Sequence, residues 1–375
     1  MARTVKMRVI MISKALVVGT YHKKLEELVR SGLELHLVVP RSWGNQKLEV
    51  RDGNGYMIYP MRIAFNGHNH FHFYFGLSGI IKKIKPDIVH IDEEHYSFVT
   101  FQTMRLAKKV GARSLFFTWQ NIYKDYPFPF SYFEKYNFKR ADVAIAGNEE
   151  SKYVIRRKGF EKEIFIIPQF GVDPDMFQKK DVFELKGKLG IKTGSFVIGF
   201  IGRLVEEKGI LVLLEAVSRL KDNFFLLLIG SGPLKKKILV KSKKNGITSR
   251  VKIVDHVPSI EVPNYINCFD CLVLPSLTKP NWKEQFGRVL IEAMACEIPV
   301  IGSDSGEIPN VIGDAGLISN EGDAADLAKK LKIVLTDREL RESLAKKGKE
   351  RVLANYTQKK VAEATFLVYK NLMST

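Results

Sequence analysis

Three cysteines in 375 residues are too few for a disulfide scaffold, which leaves stability to packing and fits a reducing compartment. Cys268 and Cys271 have CxxC spacing, but Cys271 opens the apolar run CLVLPS, which reads as a buried strand. A redox dithiol instead needs its thiolate at an exposed helix start. One pair plus the distant Cys296 falls short of a four-ligand zinc site, so core packing is expected for all three. No window offers about 18 uncharged apolar residues, so no membrane span is expected. The opening MRVIMISKALVV is interrupted by Lys14 and lacks a small-residue cleavage site, so it reads as a first buried strand and not a signal peptide. No nucleic-acid fingerprint and no Arg-rich tail is found, and nucleic acid is not an expected partner.

Positive charge is what the chain has in excess. It carries 59 Lys and Arg against 41 Asp and Glu, a net +18. Residues 1–180 hold 29 against 18 (+11) and the remainder 30 against 23 (+7), so the first half is the more basic. Such a field attracts anions, whether phosphorylated metabolites or anionic lipid, without choosing among them. The run KKKILVKSKKNG at 235–246 is read as a solvated helix face. The segments FNGHNHFHFYFGLSG (65–79) and DYPFPFSYFEKYNFKR (125–140) combine aromatic with basic residues. Core and loop packing is the default for both, and the composition also suits weak contact with an anionic membrane.

Short Val-, Ile- and Phe-rich runs alternate with longer helical patterns, first over MRVIMIS, 21–31, LELHLVVP, PDIVHID, 97–110 and RSLFFTW. The series restarts at FVIGFIGRL (196–204) and continues through FFLLLIGSG, VKIVDHV, DCLVLPS, IPVIGS and AGLIS. Strand and helix in alternation indicate parallel sheets covered on both faces, so the fold class is α/β with two doubly wound, Rossmann-like domains. The boundaries are 1–170 and 171–355, with a final helix at 356–375 packing back on the first domain. The join lies in IIPQFGVDPDMF (166–177), where Pro, Gly and Asp cluster, and a long helical pattern over about 324–372 breaks near Asn355–Thr357. Ligands of open parallel sheets bind at the carboxyl ends of the strands, so two such domains are expected to face one another across a cleft.

Two carboxylates, Glu284 and Glu292, stand in the otherwise apolar stretch EQFGRVLIEAMACEIPVIGSDSGEIP. An unpaired buried charge costs several kcal/mol, so each needs a protein partner, a ligand or a wet cleft. Gly287 and Arg288 begin a helix whose positive end faces the same cleft. GRLVEEKG (202–209) places Arg203 and Lys208 in a strand-to-helix loop, where a guanidinium fork and an ammonium point charge can hold a diphosphate. The competing reading pairs Arg203 or Lys208 with Glu206 or Glu207. A carboxylate at Glu284 can accept from sugar hydroxyls, and one at Glu292 from a vicinal diol such as a ribose, or from a protein cation.

These residues, with GSGPL, VDHV and DCLVLPS, resemble the donor-binding half of the nucleotide-sugar-dependent glycosyltransferases of family 4, which have the GT-B fold. The likeness is strong over about 195–310 and weaker around PDIVHIDEEHYS and IIPQFGVDPDMF. It implies that Arg203 and Lys208 grip the donor diphosphate, that Glu284 contacts the transferred sugar and that Glu292 contacts the ribose. Gly202 and the backbone from Phe286 through Gly287 and Arg288 to Val289 would complete the phosphate site, with His256 and Val257 beside the base. The resemblance also implies retention of anomeric configuration with the leaving diphosphate assisting deprotonation of the acceptor, and no metal or other cofactor beyond the UDP- or GDP-type donor. The acceptor would be a glycan or a lipid-linked molecule, and the enzyme cytoplasmic, either free or peripheral on the inner membrane face.

The first domain departs from the family pattern. FFTWQN puts Gln120 where many relatives place a His, and an amide cannot act as a base. SKALVVGTYHKK offers only Gly19 where relatives often have a Gly-Gly turn. Glu94 and His95 follow a strand and are candidates either for the acceptor or for an internal polar network. DPD at 173–175 imitates a metal motif but, with Pro174 between the acids, reads as a hinge cap. GSGPLK (230–235) lacks the third glycine and the acid of a dinucleotide loop, which opposes an oxidoreductase. A nucleotide-sugar epimerase and a non-catalytic nucleotide-sugar-binding protein are the alternatives.

Overall fold

The computed structural model describes residues 6–50 and 55–374. The chain divides into two compact units, one formed by residues up to Gly171 together with those from Gln358 onward, the other by Val172–Thr357.

In the first unit the strands are β1 (Arg8–Ile12), β2 (Glu34–Pro40), β3 (Ser42–Trp43), β4 (Gln46–Lys47), β5 (Met57–Met61), β6 (Ile63–Ala64), β7 (Phe73–Tyr74), β8 (Ile88–Ile91), β9 (Arg113–Thr118), β10 (Val143–Ala146) and β11 (Ile164–Ile166). The helices are α1 (Lys23–Arg30), α2 (Leu77–Ile84), α3 (Phe98–Val110), α4 (Phe130–Arg140) and α5 (Glu149–Arg157). Seven strands form one parallel sheet in the order β11-β10-β9-β8-β1-β2-β5. Alternation along β1 shows why both faces are covered. Val9 and Met11 pack with Leu25 and Leu28 of α1, whereas Ile10 and Ile12 pack with Ile81 of α2 and Met104 of α3. Each such side chain removed from water contributes about 1.5–3 kcal/mol, and conformational entropy offsets most of the sum.

The second unit has α6 (Phe183–Lys188), β12 (Phe196–Ile201), α7 (Ile210–Ser218), β13 (Phe224–Ile229), α8 (Lys235–Lys244), β14 (Val251–Val254), α9 (Val262–Ile266), β15 (Cys271–Leu274), α10 (Arg288–Ala295), β16 (Val300–Ser303), α11 (Ile308–Ile312), β17 (Gly316–Ser319), α12 (Ala324–Thr336) and α13 (Arg338–Asn355). Its parallel sheet runs β14-β13-β12-β15-β16-β17. The last helix, α14 (Gln358–Ser374), belongs to the first unit, where Val361, Val368, Tyr369 and Leu372 share a core with Val9 and Leu25.

Several details differ from the sequence pattern. The helical stretch from 324 breaks twice, because the Asp337 side chain accepts from the Leu340 amide at 2.9 Å and caps a new helix start. The hairpins β3–β4 and β6–β7 carry no strong alternation and were not legible. Asp173 caps a local turn, its carboxylate taking the Asp175 amide at 3.1 Å. The cysteines are free and buried, and burial pushes the Cys268 thiol up to about 11 and Cys296 up to about 12. Among the described residues no helix is long and apolar enough to cross a membrane.

One polar cluster is enclosed at the carboxyl ends of β1 and β8. Glu93, fully buried, takes the Lys14 amide at 2.7 Å and pairs with the Lys14 ammonium, with His72 Nε2 at 3.7 Å. Burial alone would raise its pKa, but Lys14 and His72 together outweigh that and hold it at about 2. A carboxylate depressed in the folded state stabilises at pH above its unfolded value of roughly 4.3, and that contribution is lost as pH falls toward 2. Glu93→Gln is therefore expected to lower the stability of the first unit at neutral pH and to flatten its acid unfolding profile between about pH 4.5 and 2; acid titrations identical to the parent protein would show that Glu93 is not the group responsible. In the second unit Gly209 has φ +65°, and a Cβ there would lie 1.7 Å from the Pro275 carbonyl oxygen. Gly209→Ala should cost about 2–4 kcal/mol, combining the left-handed backbone penalty with displacement of Pro275, read as a lower urea midpoint. An unchanged midpoint would mean the two loops do not need their close approach.

Candidate functional site

In the second sheet β12 and β15 are hydrogen-bonded neighbours although two strands, β13 and β14, lie between them in the chain, so the strand order reverses at β12. The loops leaving their carboxyl ends diverge, and that point of reversal is where open parallel sheets bind ligands. Residues 202–209 arrive from β12 and residues 275–287 from β15. The Leu277 amide donates to the Glu207 carbonyl at 2.8 Å, and Gly209 lies against Pro275, so the two loops are locked together.

This locking brings the predicted charges into contact. Lys208 Nζ lies 2.6 Å from Glu284 Oε2, the same oxygen that accepts from Ser276 Oγ at 2.8 Å. Glu284 is buried and Lys208 nearly so, with the ammonium 4.9 Å from the centroid of the Trp282 ring. A buried pair of this kind is costly to break from one side, about 3–5 kcal/mol, because the remaining charge stays desolvated. Glu292 also has a protein partner, for Arg288 Nε of the same helix lies 2.9 Å from its Oε1. Burial raises the Glu292 pKa, with Arg288 opposing the rise, so this carboxyl protonates more readily than an ordinary one.

Gly287, at φ +79°, turns the chain into α10, and a side chain there would press on Leu274 at 2.8 Å. Phe286 is buried edge-on to Tyr356 with ring centroids 5.6 Å apart, fixing the entry into the helix, and Val289 is half-buried in its first turn. Arg203 keeps 66% of its side chain exposed and reaches Glu207 Oε1 only at 3.4 Å, the surface pairing weighed above. An exposed i,i+4 pair contributes about 0.3–0.5 kcal/mol and does not hold the guanidinium against a doubly charged ligand. Gly202 bonds back to the Ile229 carbonyl at 2.9 Å and closely approaches Gly230. His256, exposed, and Val257, half-buried, follow β14 two strands away on the same sheet edge.

The first unit arranges its candidates differently. Glu94 accepts from Thr118 Oγ1 at 2.6 Å and from the Trp119 amide at 2.9 Å, tying the end of β8 to the end of β9. His95 is fully buried, its Nε2 3.0 Å from Glu134 Oε2, which also takes Lys158 Nζ at 2.8 Å. Of the two readings open for His95, these contacts fit the internal polar network, which anchors α4. The Gly19 amide is occupied by Glu49 Oε2 at 2.8 Å. Gln120 is buried, donating Nε2 to the Ile122 carbonyl at 3.1 Å, and among the described residues its amide oxygen has no hydrogen-bond partner. Ser276, Trp282 and Gly209 escaped sequence reading. Ser276 had a signal, as the last residue of CLVLPS at a strand end, whereas nothing in spacing brings Trp282 over Lys208.

Residues 181–351 match the family model described as glycosyl transferases group 1, and residues 20–175 the model described as glycosyltransferase family 4. The 2-deoxystreptamine glucosyltransferase of Streptomyces kanamyceticus is 31% identical over 214 residues, 54% of each chain. The chain spans about half the length of the curated relatives it matches. Sucrose-phosphate synthase from Thermosynechococcus elongatus superposes with a TM-score of 0.78 at 19% identity, covering 98% of this chain and 100% of that one. Anabaena HepE in complex with UDP and glucose gives 0.70 at 16% identity, covering 98% and 100%. With two doubly wound sheets and both halves matched by their respective models, the chain belongs to the GT-B-fold glycosyltransferases of the family 4 type.

Proposed function

We propose that this protein moves a sugar from a UDP- or GDP-type nucleotide sugar to a glycan or lipid-linked acceptor, with retention at the anomeric carbon and without a metal ion. The observation that carries the reading is the Lys208–Glu284–Ser276 constellation at the reversal point of the second sheet, beside the start of α10. The relative solved with UDP and glucose adds support for a uridine donor. The three buried free thiols are in keeping with a cytoplasmic setting.

In this reading the diphosphate enters beside Lys208 and draws in the exposed Arg203, whose contact with Glu207 is weak enough to exchange. The α10 dipole adds about 0.3–2 kcal/mol for an anion, so the two side-chain cations supply most of the compensation. Charge develops on the diphosphate as the glycosidic bond breaks, and cations held against it favour that state over the ground state. Glu284, which meets Lys208 and Ser276 through Oε2, presents its carboxylate to the hydroxyls of the transferred sugar. Glu292 holds Arg288 with one oxygen and can take the ribose diol with the other. The departing diphosphate accepts the proton of the attacking hydroxyl on the same face, which is compatible with an amide at Gln120 in place of a base. The buried Gln120 oxygen is an acceptor for a substrate hydroxyl.

The deciding experiment incubates the protein, with chelator present, with UDP-, GDP- and ADP-sugars and candidate acceptors and identifies the products. A new α-configured glycoside from an α-donor supports the reading; an altered free sugar, an inverted product or loss of transfer on chelation removes the corresponding part. Because Arg203 is exposed, Arg203→Ala should leave thermal stability unchanged and lower kcat on the order of 100-fold, about 3 kcal/mol, while Lys208→Ala should lower both. Glu284→Gln should mainly slow transfer. Glu292→Gln should mainly weaken nucleotide binding in calorimetry and abolish the loss of affinity that the parent shows on acidification, a loss beginning above the ordinary carboxylate range. Normal turnover in Arg203→Ala, or pH-independent affinity in the parent, would contradict these roles.

A further inference from the structure

At the edge of the second sheet opposite Lys208 and Glu284, where Asp270 and Pro299 lead into β15 and β16, a cavity of about 380 Å³ opens between α6 and α13. That volume lies in the range of small-molecule sites. Asn267 builds one wall. Its buried side chain accepts from the Lys180 amide at 2.9 Å and donates to the Gln178 and Pro263 carbonyls at 2.9 and 2.8 Å, which fixes the segment 178–180 against the end of α9. A second wall is α13, held close to α10 because Gly348 leaves only enough room for Met294, whose Cγ would stand 3.0 Å from a Cβ there. Cys296, at the carboxyl end of α10, and Phe269 also line the cavity, and both are buried.

Five cations converge on this space: Lys179, Lys180, Lys186 of α6, and Arg341 and Lys346 of α13. Three carboxylates share the lining, and each is engaged by another group. Asp270 accepts from the Val197 amide at 2.7 Å, Glu297 takes Lys349 Nζ at 2.7 Å, and Glu342 takes Arg338 Nε at 2.7 Å. Arg341 is held in place, its Nη1 donating to the Val334 and Leu335 carbonyls at 2.8 and 3.2 Å and its guanidinium lying 5.6 Å from the Phe196 ring. Among the described residues none of the four lysines has a carboxylate in salt-bridge range or a hydrogen bond from its ammonium, whereas Lys235, Lys241 and Lys332 of the same unit are each paired with one. Like charges gathered around one concavity repel one another, and a bound anion relieves that repulsion.

We propose that this cavity binds a small molecule through a doubly charged phosphoryl group. Ammonium groups act on phosphate as point charges and a guanidinium adds directed donors, while a single carboxylate would leave most of the positive charge unmatched. The cavity is separate from the donor site. Helix α10, eight residues and about 12 Å long, stands between Gly287 at its start and Cys296 at its end. The proposal is independent of the transferase reading, because it concerns binding at the other edge of the sheet.

Calorimetry on the full chain tests it, with inorganic phosphate and ribose 5-phosphate as probes, ribose as the uncharged control, and UDP or GDP present at saturation to fill the donor site. Both phosphorylated probes are expected to bind, ribose is not, and the affinity should weaken as salt is raised. Tighter binding of ribose 5-phosphate would assign the cavity to a phosphorylated metabolite, and equal affinity would assign it to inorganic phosphate. K180E/K186E should lower the affinity more than tenfold, with circular dichroism and the urea midpoint unchanged, and Lys346→Glu should lower it several-fold. K243E/K244E, which reverses the same number of charges on α8, should leave it as it is. No binding of either probe, binding only when the nucleotides are left out, or an equal response of K180E/K186E and K243E/K244E would each overturn the proposal.

Discussion

A carboxylate and an ammonium removed together from water govern the second unit. Lys208 and Ser276 meet one oxygen of the buried Glu284, and Lys208 reaches it because Gly209 lets its loop lie against the Pro275 carbonyl. That approach in turn follows from the strand order, which makes β12 and β15 neighbours with diverging exits. Secondary structure, backbone proximity and charge compensation are thus successive consequences of one topology. The cost of desolvating the pair is tolerated at a place where a multiply charged ligand would share it.

Much of this was legible in the sequence. Periodicity marked the strands of both parallel sheets, since fully buried strands such as FFLLLI have no other reading beside short helical segments. Glu284 and Glu292 were legible because carboxylates in apolar surroundings demand a partner, and Arg203 and Lys208 because they stand in a strand-to-helix loop. Which partner was not legible. Lys208 and Glu284 are 76 residues apart, and only the fold shows that they bind each other while Glu292 takes Arg288, one turn away. The cation over Trp282 and the closure of Ser276 on Glu284 are likewise tertiary facts. His95 kept two readings open for the converse reason: its position after a strand fits a site, yet its ring turns inward to Glu134, a direction that residue order does not encode.

The two units share an architecture and use their carboxyl-end loops unequally. In the second unit those loops converge on one ion pair with an exposed guanidinium nearby. In the first they are stitched to one another by Glu94, Glu93 and Glu49, so that acidic side chains serve as internal braces. With those acids drawn inward, the outer face of α3 and the β6–β7 hairpin is left to aromatic and basic residues. The basic character of that face is therefore partly a matter of where the negative charges have gone.

The placement of α14 has a consequence for biosynthesis. Strands β1 and β2 are made long before α14, yet part of the hydrophobic layer beneath them is contributed by Val361, Val368, Tyr369 and Leu372. The intervening unit, by contrast, has all its strands and helices in one uninterrupted length of chain. At roughly 5–20 residues per second of synthesis, the nascent first sheet waits tens of seconds for its closing helix. During translation the later-made unit is thus the first able to complete itself, and the earlier one stays open to chaperones until α14 has left the ribosome.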